Sequence, residues 1–186
     1  MDDIALMDGV LGKTADLVDG VDASQWGEPT PCSEFTVKDL VSHMVGWSSS
    51  FVAAAEGEKP AGDPTTYQVS DKSATEFRSA AERMVAGWSA NGTDREVSLI
   101  GAGPMPGQMV FDMTLMEYLA HGWDLAKATG QPMPYTDEEA QAVHDLAEKH
   151  LTDQWRGDGK PFGTIVDVPI EAPALERFAG FMGRMP

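Results

Sequence analysis

The segment Glu117-Tyr118-Leu119-Ala120-His121-Gly122-Trp123-Asp124-Leu125-Ala126-Lys127-Ala128-Thr129-Gly130 repeats like a helix, yet carries polar groups where a packed helix carries apolar ones. Steps of three and four residues align Val110, Met113, Glu117, His121, Asp124 and Ala128 along one side. The ends of that row are apolar; its middle is a carboxylate, an imidazole and a second carboxylate. Gly130 supplies the stop, so one helix is expected over about residues 108–129.

A second segment has the same irregularity. Thr36 is a natural N-cap for a helix over roughly residues 37–56, whose stripe is Leu40, Trp47 and Phe51. His43 interrupts that stripe. Ile4, Met7, Leu11 and Val18 recur at helical spacing and predict a first helix over about residues 3–20. Ser73 and Glu76 have the spacing of a capping box, opening a helix that buries Phe77, Ala81, Met84 and Trp88 and ends near Ala90, before Asn91-Gly92. Thr136 and Glu139 form another such box, for a helix running to about Leu151.

Between these lie loops. Two prolines bracket Gly27–Cys32, and Gly57, Pro60, Gly62 and Pro64 break up residues 57–69. Glu96–Ile100 alternates and reads as extended, whereas Gly101–Gly107 reads as a Gly/Pro loop. After the Leu151 helix come a glycine-rich loop, an extended run from Thr164 to Ile170 and a short helix near Pro173–Met182. The expected fold is therefore mainly α: a four-helix bundle with an extra C-terminal helix and short extended segments, in a single domain spanning residues 1–186.

Composition excludes several classes. Thirteen Lys and Arg against thirty Asp and Glu give a formal charge of −17. That opposes binding to nucleic acid or to anionic membranes, which needs clustered cations. No apolar run approaches the roughly 20 residues that cross a bilayer. The acidic start Met1-Asp2-Asp3 is unlike a signal peptide. One cysteine, Cys32, allows no internal disulfide. A cytoplasmic setting is expected.

Glu117 and His121, four apart on a helix, can face one cation, and His43 from a facing helix would close a third side. A His2Glu set leaves positions open for water or substrate, as catalytic sites do. It suits Zn, Ni, Fe or Co better than Ca or Mg. The other reading is a metal-free bundle in which Glu117 and His121 form a buried pair. Asp124, three residues after His121, either accepts a hydrogen bond beside the site or bonds a backbone amide. Asp39 reads as an N-terminal helix charge rather than a partner of His43. Trp47, Tyr118 and Trp123 read as core aromatics with pocket walls as the alternative. His144 and His150, in a charged helix, read as surface residues. Cys32 has no basic neighbour in sequence to activate it, and Gly101-Ala102-Gly103 lacks a phosphate-loop lysine, so it is assigned to a turn.

The Glu117–Gln131 segment, with its His-Gly-Trp-Asp-Leu-Ala run, resembles a signature of the mycothiol-dependent maleylpyruvate isomerase-like proteins of the DinB-like helical-bundle superfamily. Gln25-Trp26 with Pro29-Thr30-Pro31-Cys32 resembles the family's first loop. Thr36 through Gly46 resembles its second helix. Val168-Pro169 through Gly183-Arg184 and Pro186 resembles the C-terminus of an actinobacterial branch. The resemblance implies a metal triad of His43, Glu117 and His121; Asp124, three residues after His121, is by its spacing the candidate to stand behind it. One divalent metal is expected, zinc first and nickel as the alternative. The resemblance also implies mycothiol as co-substrate, with a metal-activated thiolate as nucleophile. The implied function is a thiol S-transferase or isomerase acting on a small electrophile; the alternative is a metal-binding bundle without turnover. The expected partners are a small-molecule thiol and an electrophile, and a homodimer is plausible for such a bundle.

Overall fold

The computed structural model describes residues 2–157, 160 and 162–186, so Met1 and Gly159 of the late glycine-rich loop fall outside it. Four long helices carry the architecture: α1 (Asp3–Asp19), α2 (Val37–Glu56), α3 (Ser73–Asn91) and α4 (Gly107–Thr129). Helix α3 lies against both α1 and α2, and so does α4. This is the expected four-helix bundle. Helix α4 is buried on nearly every side, which is why polar Asp112, His121 and Asp124 sit in the interior with Phe111, Leu115, Tyr118 and Leu119. The core between the helices is filled by Met7, Leu11, Leu40, Met44, Phe77, Met84 and Trp88. No described helix is long and apolar enough to cross a membrane.

Local sequence explains the helix ends. Asp2 caps α1 by accepting from the Ile4 amide. Thr36 and Asp39 form a reciprocal capping box on α2, and left-handed Gly57 ends it. The Thr36 box starts α2 about two turns before His43, fixing which face that imidazole occupies. Gly130, at φ 68°, ends α4 where expected.

Two local expectations are corrected. Ser73 and Glu76 do not cap α3. The Ser73 hydroxyl bonds Tyr67 and the Ser70 amide, and Glu76 accepts from the Tyr67 hydroxyl, so both polar groups secure the preceding loop instead. The Gly/Pro loop after β1 (Glu96–Leu99) contains a second strand, β2 (Gly103–Pro106), antiparallel to β1 with Val97 opposite Met105. Gly101 and Gly103, both at positive φ, make the reversal that alternation alone does not reveal.

Helix α5 (Asp137–His150) starts at the predicted Thr136–Glu139 box, and α6 (Ala174–Phe181) packs against it. The chain from Thr164 to Ile170 forms no strand. It passes α6 with the Val166 amide bonding Gly180 O at 2.9 Å. A Cβ at Gly180 would come within 2.4 Å of Val168 Cγ2, so the crossing needs glycine. Past α6, the Arg184 amide bonds Ala179 O and the tail turns back toward α4.

Candidate metal centre

His43 from α2 and Glu117 and His121 from α4 converge, with one donor atom from each mutually within 4.8 Å. His43 Nε2 donates to Glu117 Oε1 at 2.7 Å, and His121 Nε2 stands 3.5 Å from the same oxygen. The two imidazole rings are 5.1 Å apart and nearly edge-on. The side chains of His43 and Glu117 keep about a quarter of their surface exposed (26% and 24%), and His121 10%, so the cluster is sunk but open on one side.

His43 also lines a cavity of about 410 Å³, together with Phe35, Trp47, Tyr67, Lys38 and Gln68 among others; Glu117 and His121 lie behind it and do not line that cavity. Phe35 stacks near both imidazoles, at 5.2 Å from His43 and 6.2 Å from His121. Gly46 makes room for the far wall: a Cβ there would meet Pro64 O at 2.2 Å.

Behind the cluster, His121 Nδ1 lies 3.0 Å from Asp124 Oδ2. Arg184 closes the row as a fork, donating from Nη2 to Oδ2 at 2.7 Å and from Nε to Oδ1 at 3.2 Å. Of the two readings of Asp124, the side-chain partner is the one present.

Charge in this cluster is held mutually. Burial pushes the Glu117 carboxyl up, but the His121 charge, the His43 hydrogen bond and charge, and Arg184 outweigh it and bring it down to about 2. Burial also raises Asp124, and the hydrogen bonds and charges of His121 and Arg184 carry it below the usual aspartate value. Both groups are carboxylates at neutral pH, the form that ligates or orients a ligand.

The donor set fits a divalent ion. Two donors each about 2.1 Å from a tetrahedral ion stand about 3.4 Å apart. The His121–Glu117 edge already has that span, and the shorter His43–Glu117 edge is an ordinary imidazole–carboxylate bond that has to open by well under an ångström.

Other residues fall differently. Asp39 caps α2 through Thr36 and does not touch His43, as read. Tyr118 and Trp123 are core residues, whereas Trp47, 6.2 Å from His43, borders the cavity. The surface assignment of two histidines is corrected. His144 is buried against Phe181, and half-buried His150 pairs with Asp112 at 2.8 Å, because α5 turns its charged face partly toward α4 and α6. Cys32 does have polar neighbours, in space rather than in sequence: its sulfur lies within 4.8 Å of donor atoms of His121 and Asp124. Burial raises the Cys32 thiol; Arg184 opposes this, while Asp124, Glu117 and Glu34 add to it. The thiol is thus protonated at neutral pH, the opposite of an activated cysteine. Sequence reasoning missed Phe35 and Arg184, because each meets the site only through a loop or tail fold-back.

Comparison with known proteins places the family and the fold. Residues 10–126 match the family described as the mycothiol maleylpyruvate isomerase N-terminal domain. Two relatives from Mycobacterium tuberculosis, strains CDC 1551 and H37Rv, both described as uncharacterized proteins, are 33% identical over 177 residues, covering 91% of this chain and 91% of theirs. The fold resembles the crystal structures of the mycothiol-dependent maleylpyruvate isomerase and of its histidine-to-alanine mutant, with TM-scores of 0.62 and 0.63 at 15% identity. Those likenesses cover 87% of this chain and 72% of each isomerase chain. The chain belongs to the mycothiol maleylpyruvate isomerase N-terminal domain family.

Proposed function

We propose that this protein is a metal-dependent enzyme that uses a low-molecular-weight thiol, mycothiol by family, in S-transfer to or isomerisation of a small electrophile. The observation that carries the reading is the convergence of three donors from two helices, one of which, His43, also lines an aromatic-walled cavity. The cavity's volume lies within the roughly 300–1,000 Å³ usual for small-molecule sites. His43, Glu117 and His121 would hold the ion, zinc before nickel by donor type. A divalent cation held there would supply Lewis acidity, favouring the deprotonated, nucleophilic form of a thiol bound beside it.

The chain's own residues have separable tasks. Glu117, held as a carboxylate, would offset the charge of an ion placed between it and the two imidazoles. Asp124 accepts the His121 Nδ1 proton and thereby fixes the tautomer in which Nε2 is free to ligate. Phe35 and Trp47 flank His43 and give the cavity beside it aromatic walls, suited to the apolar part of a substrate. Lys38 is a cation at the cavity wall in a strongly acidic protein, suited to an anionic group on either substrate.

One observation favours a second reading, a metal-free cluster: the direct 2.7 Å bond between His43 and Glu117. Elemental analysis of untagged protein beside His43→Ala and His121→Ala separates the two. Near-stoichiometric zinc or nickel, lost in both variants, supports the enzyme and justifies assays with mycothiol and electrophiles. Native protein that stays metal-free after reconstitution leaves the ion-pair reading.

A further inference from the structure

The row His121–Asp124–Arg184 ends on a residue from the C-terminal tail, 58 positions beyond the segment matched to the family (184 − 126). Arg184 is 9% exposed and Asp124 is fully buried. A guanidinium in that position is not a surface decoration. It has been taken out of water and placed as a two-pronged clamp on a carboxylate whose other contact is the proposed metal ligand. The clamp is itself held: Arg184 Nη1 donates to Met182 O at 2.8 Å, and its amide to Ala179 O at 2.9 Å.

We propose that Arg184 is a positioning residue for the metal centre, holding Asp124 in the place and orientation that fix the His121 tautomer and ring. The inference rests on the metal-site reading above. The physical case is a comparison of what Asp124 does with and without its clamp. A buried carboxylate without its partner is costly and is drawn to rotate toward water. That rotation takes the acceptor away from His121 Nδ1, so the ring loses the contact that fixes its orientation and leaves Nε2 facing the ion. Arg184 opposes it, because its fork holds both carboxylate oxygens at once. Loss of such a partner to a ligating histidine typically weakens metal binding about 10- to 100-fold. The rival explanation is that Arg184 merely tethers the tail, in which case its loss would lower stability and leave the site alone.

Four variants of the full chain decide between these: Arg184→Gln, Arg184→Lys, Asp124→Asn and the Asp124→Asn/Arg184→Gln pair. Zn²⁺ affinity is read by chelator competition, Co²⁺ by its visible spectrum, and the His121 tautomer of metal-free protein by nitrogen-15 correlation spectra. The proposal expects Arg184→Gln to bind Zn²⁺ about 10- to 100-fold more weakly with mixed His121 tautomers. Arg184→Lys, which keeps the charge but not the fork, should lose roughly three- to tenfold. Because Arg184 acts through Asp124, the double variant should bind no more weakly than Asp124→Asn alone. A folded Arg184→Gln protein within twofold of native affinity overturns the inference, as does full additivity in the double variant. If Arg184→Gln does not fold, Arg184→Lys carries the same decision: native affinity and an unchanged Co²⁺ spectrum overturn it. Native protein that binds neither ion would sink the metal reading and this inference together. Native binding with an unaffected Arg184 variant sinks the inference only.

Discussion

His121 is followed by Gly122 in the middle of a long helix, where glycine costs about 1 kcal/mol relative to alanine. The reason is steric: a Cβ there would lie 1.7 Å from the Tyr135 hydroxyl, which is fixed by bonds to Thr14 at 2.7 Å and to Tyr118 O at 3.4 Å. The tyrosine ring is rigid and buried, so it cannot yield cheaply. Gly122→Ala should therefore destabilise by about 1–3 kcal/mol despite alanine's better helix propensity. That corresponds to a melting temperature lower by roughly 2–12 °C in a chain of this size, readable by calorimetry; an unchanged or raised value would refute the clash. At this scale the sequence exposed only part of the site. His43, Glu117 and His121 were legible because each breaks an apolar stripe whose period is set by its own helix. Arg184 and Phe35 were not, since nothing within a few residues of either distinguishes a buried partner from an ordinary loop or tail residue. The same holds for Cys32, whose neighbours in space are about ninety residues away in sequence.

Elements were legible where local chemistry and tertiary packing agree. The boundaries of α2 and α4 and the Thr136 box of α5 follow from caps and stops that work in isolation. Ser73 and Glu76 have the same pattern as Thr136 and Glu139, but the loop hydroxyl of Tyr67 takes their hydrogen bonds, and no local pattern foretells that competition. Glu139 shows what a cap contributes when tertiary structure reinforces it. Its carboxylate bonds the Thr136 amide at 2.8 Å and receives Lys13 of α1 at 2.5–2.6 Å, and Gly9 leaves room for it, with a would-be Cβ only 2.9 Å away. Burial raises the Glu139 carboxyl; Lys13 and Thr136 more than offset this and hold it below its usual value. Because the folded value lies below the unfolded one, this group adds stability above the unfolded glutamate pKa, about 4.3. That contribution disappears as pH falls through the folded value. Glu139→Gln should cost about 1–3 kcal/mol at neutral pH. The gap from native should narrow when denaturant unfolding is repeated below pH 4. A constant gap across that range would show that the charge is immaterial.

Across the whole molecule the site joins two helices that belong to opposite ends of the folding problem. His43 sits 74 residues before Glu117, and α2 and α4 meet only once the bundle has formed. An ion held by His43, Glu117 and His121 would therefore bind the folded chain and hardly the unfolded one, adding stability through mass action. Zn²⁺ at about 100 times its dissociation constant should add roughly 2.7 kcal/mol. In a chain of this size that raises the melting temperature by about 5–11 °C. The shift should grow with free Zn²⁺ rather than saturate at one equivalent. Ligating imidazoles must be unprotonated, so acidification through the histidine range should release the ion and erase the shift. His43→Ala should abolish the shift at every pH, because it removes the only ligand contributed by α2. A Zn²⁺-dependent rise that survives His43→Ala would mean that the ion stabilises the protein from the acidic surface instead, where the exposed carboxylates of a chain with net charge −17 offer weak sites but no link between the two helices.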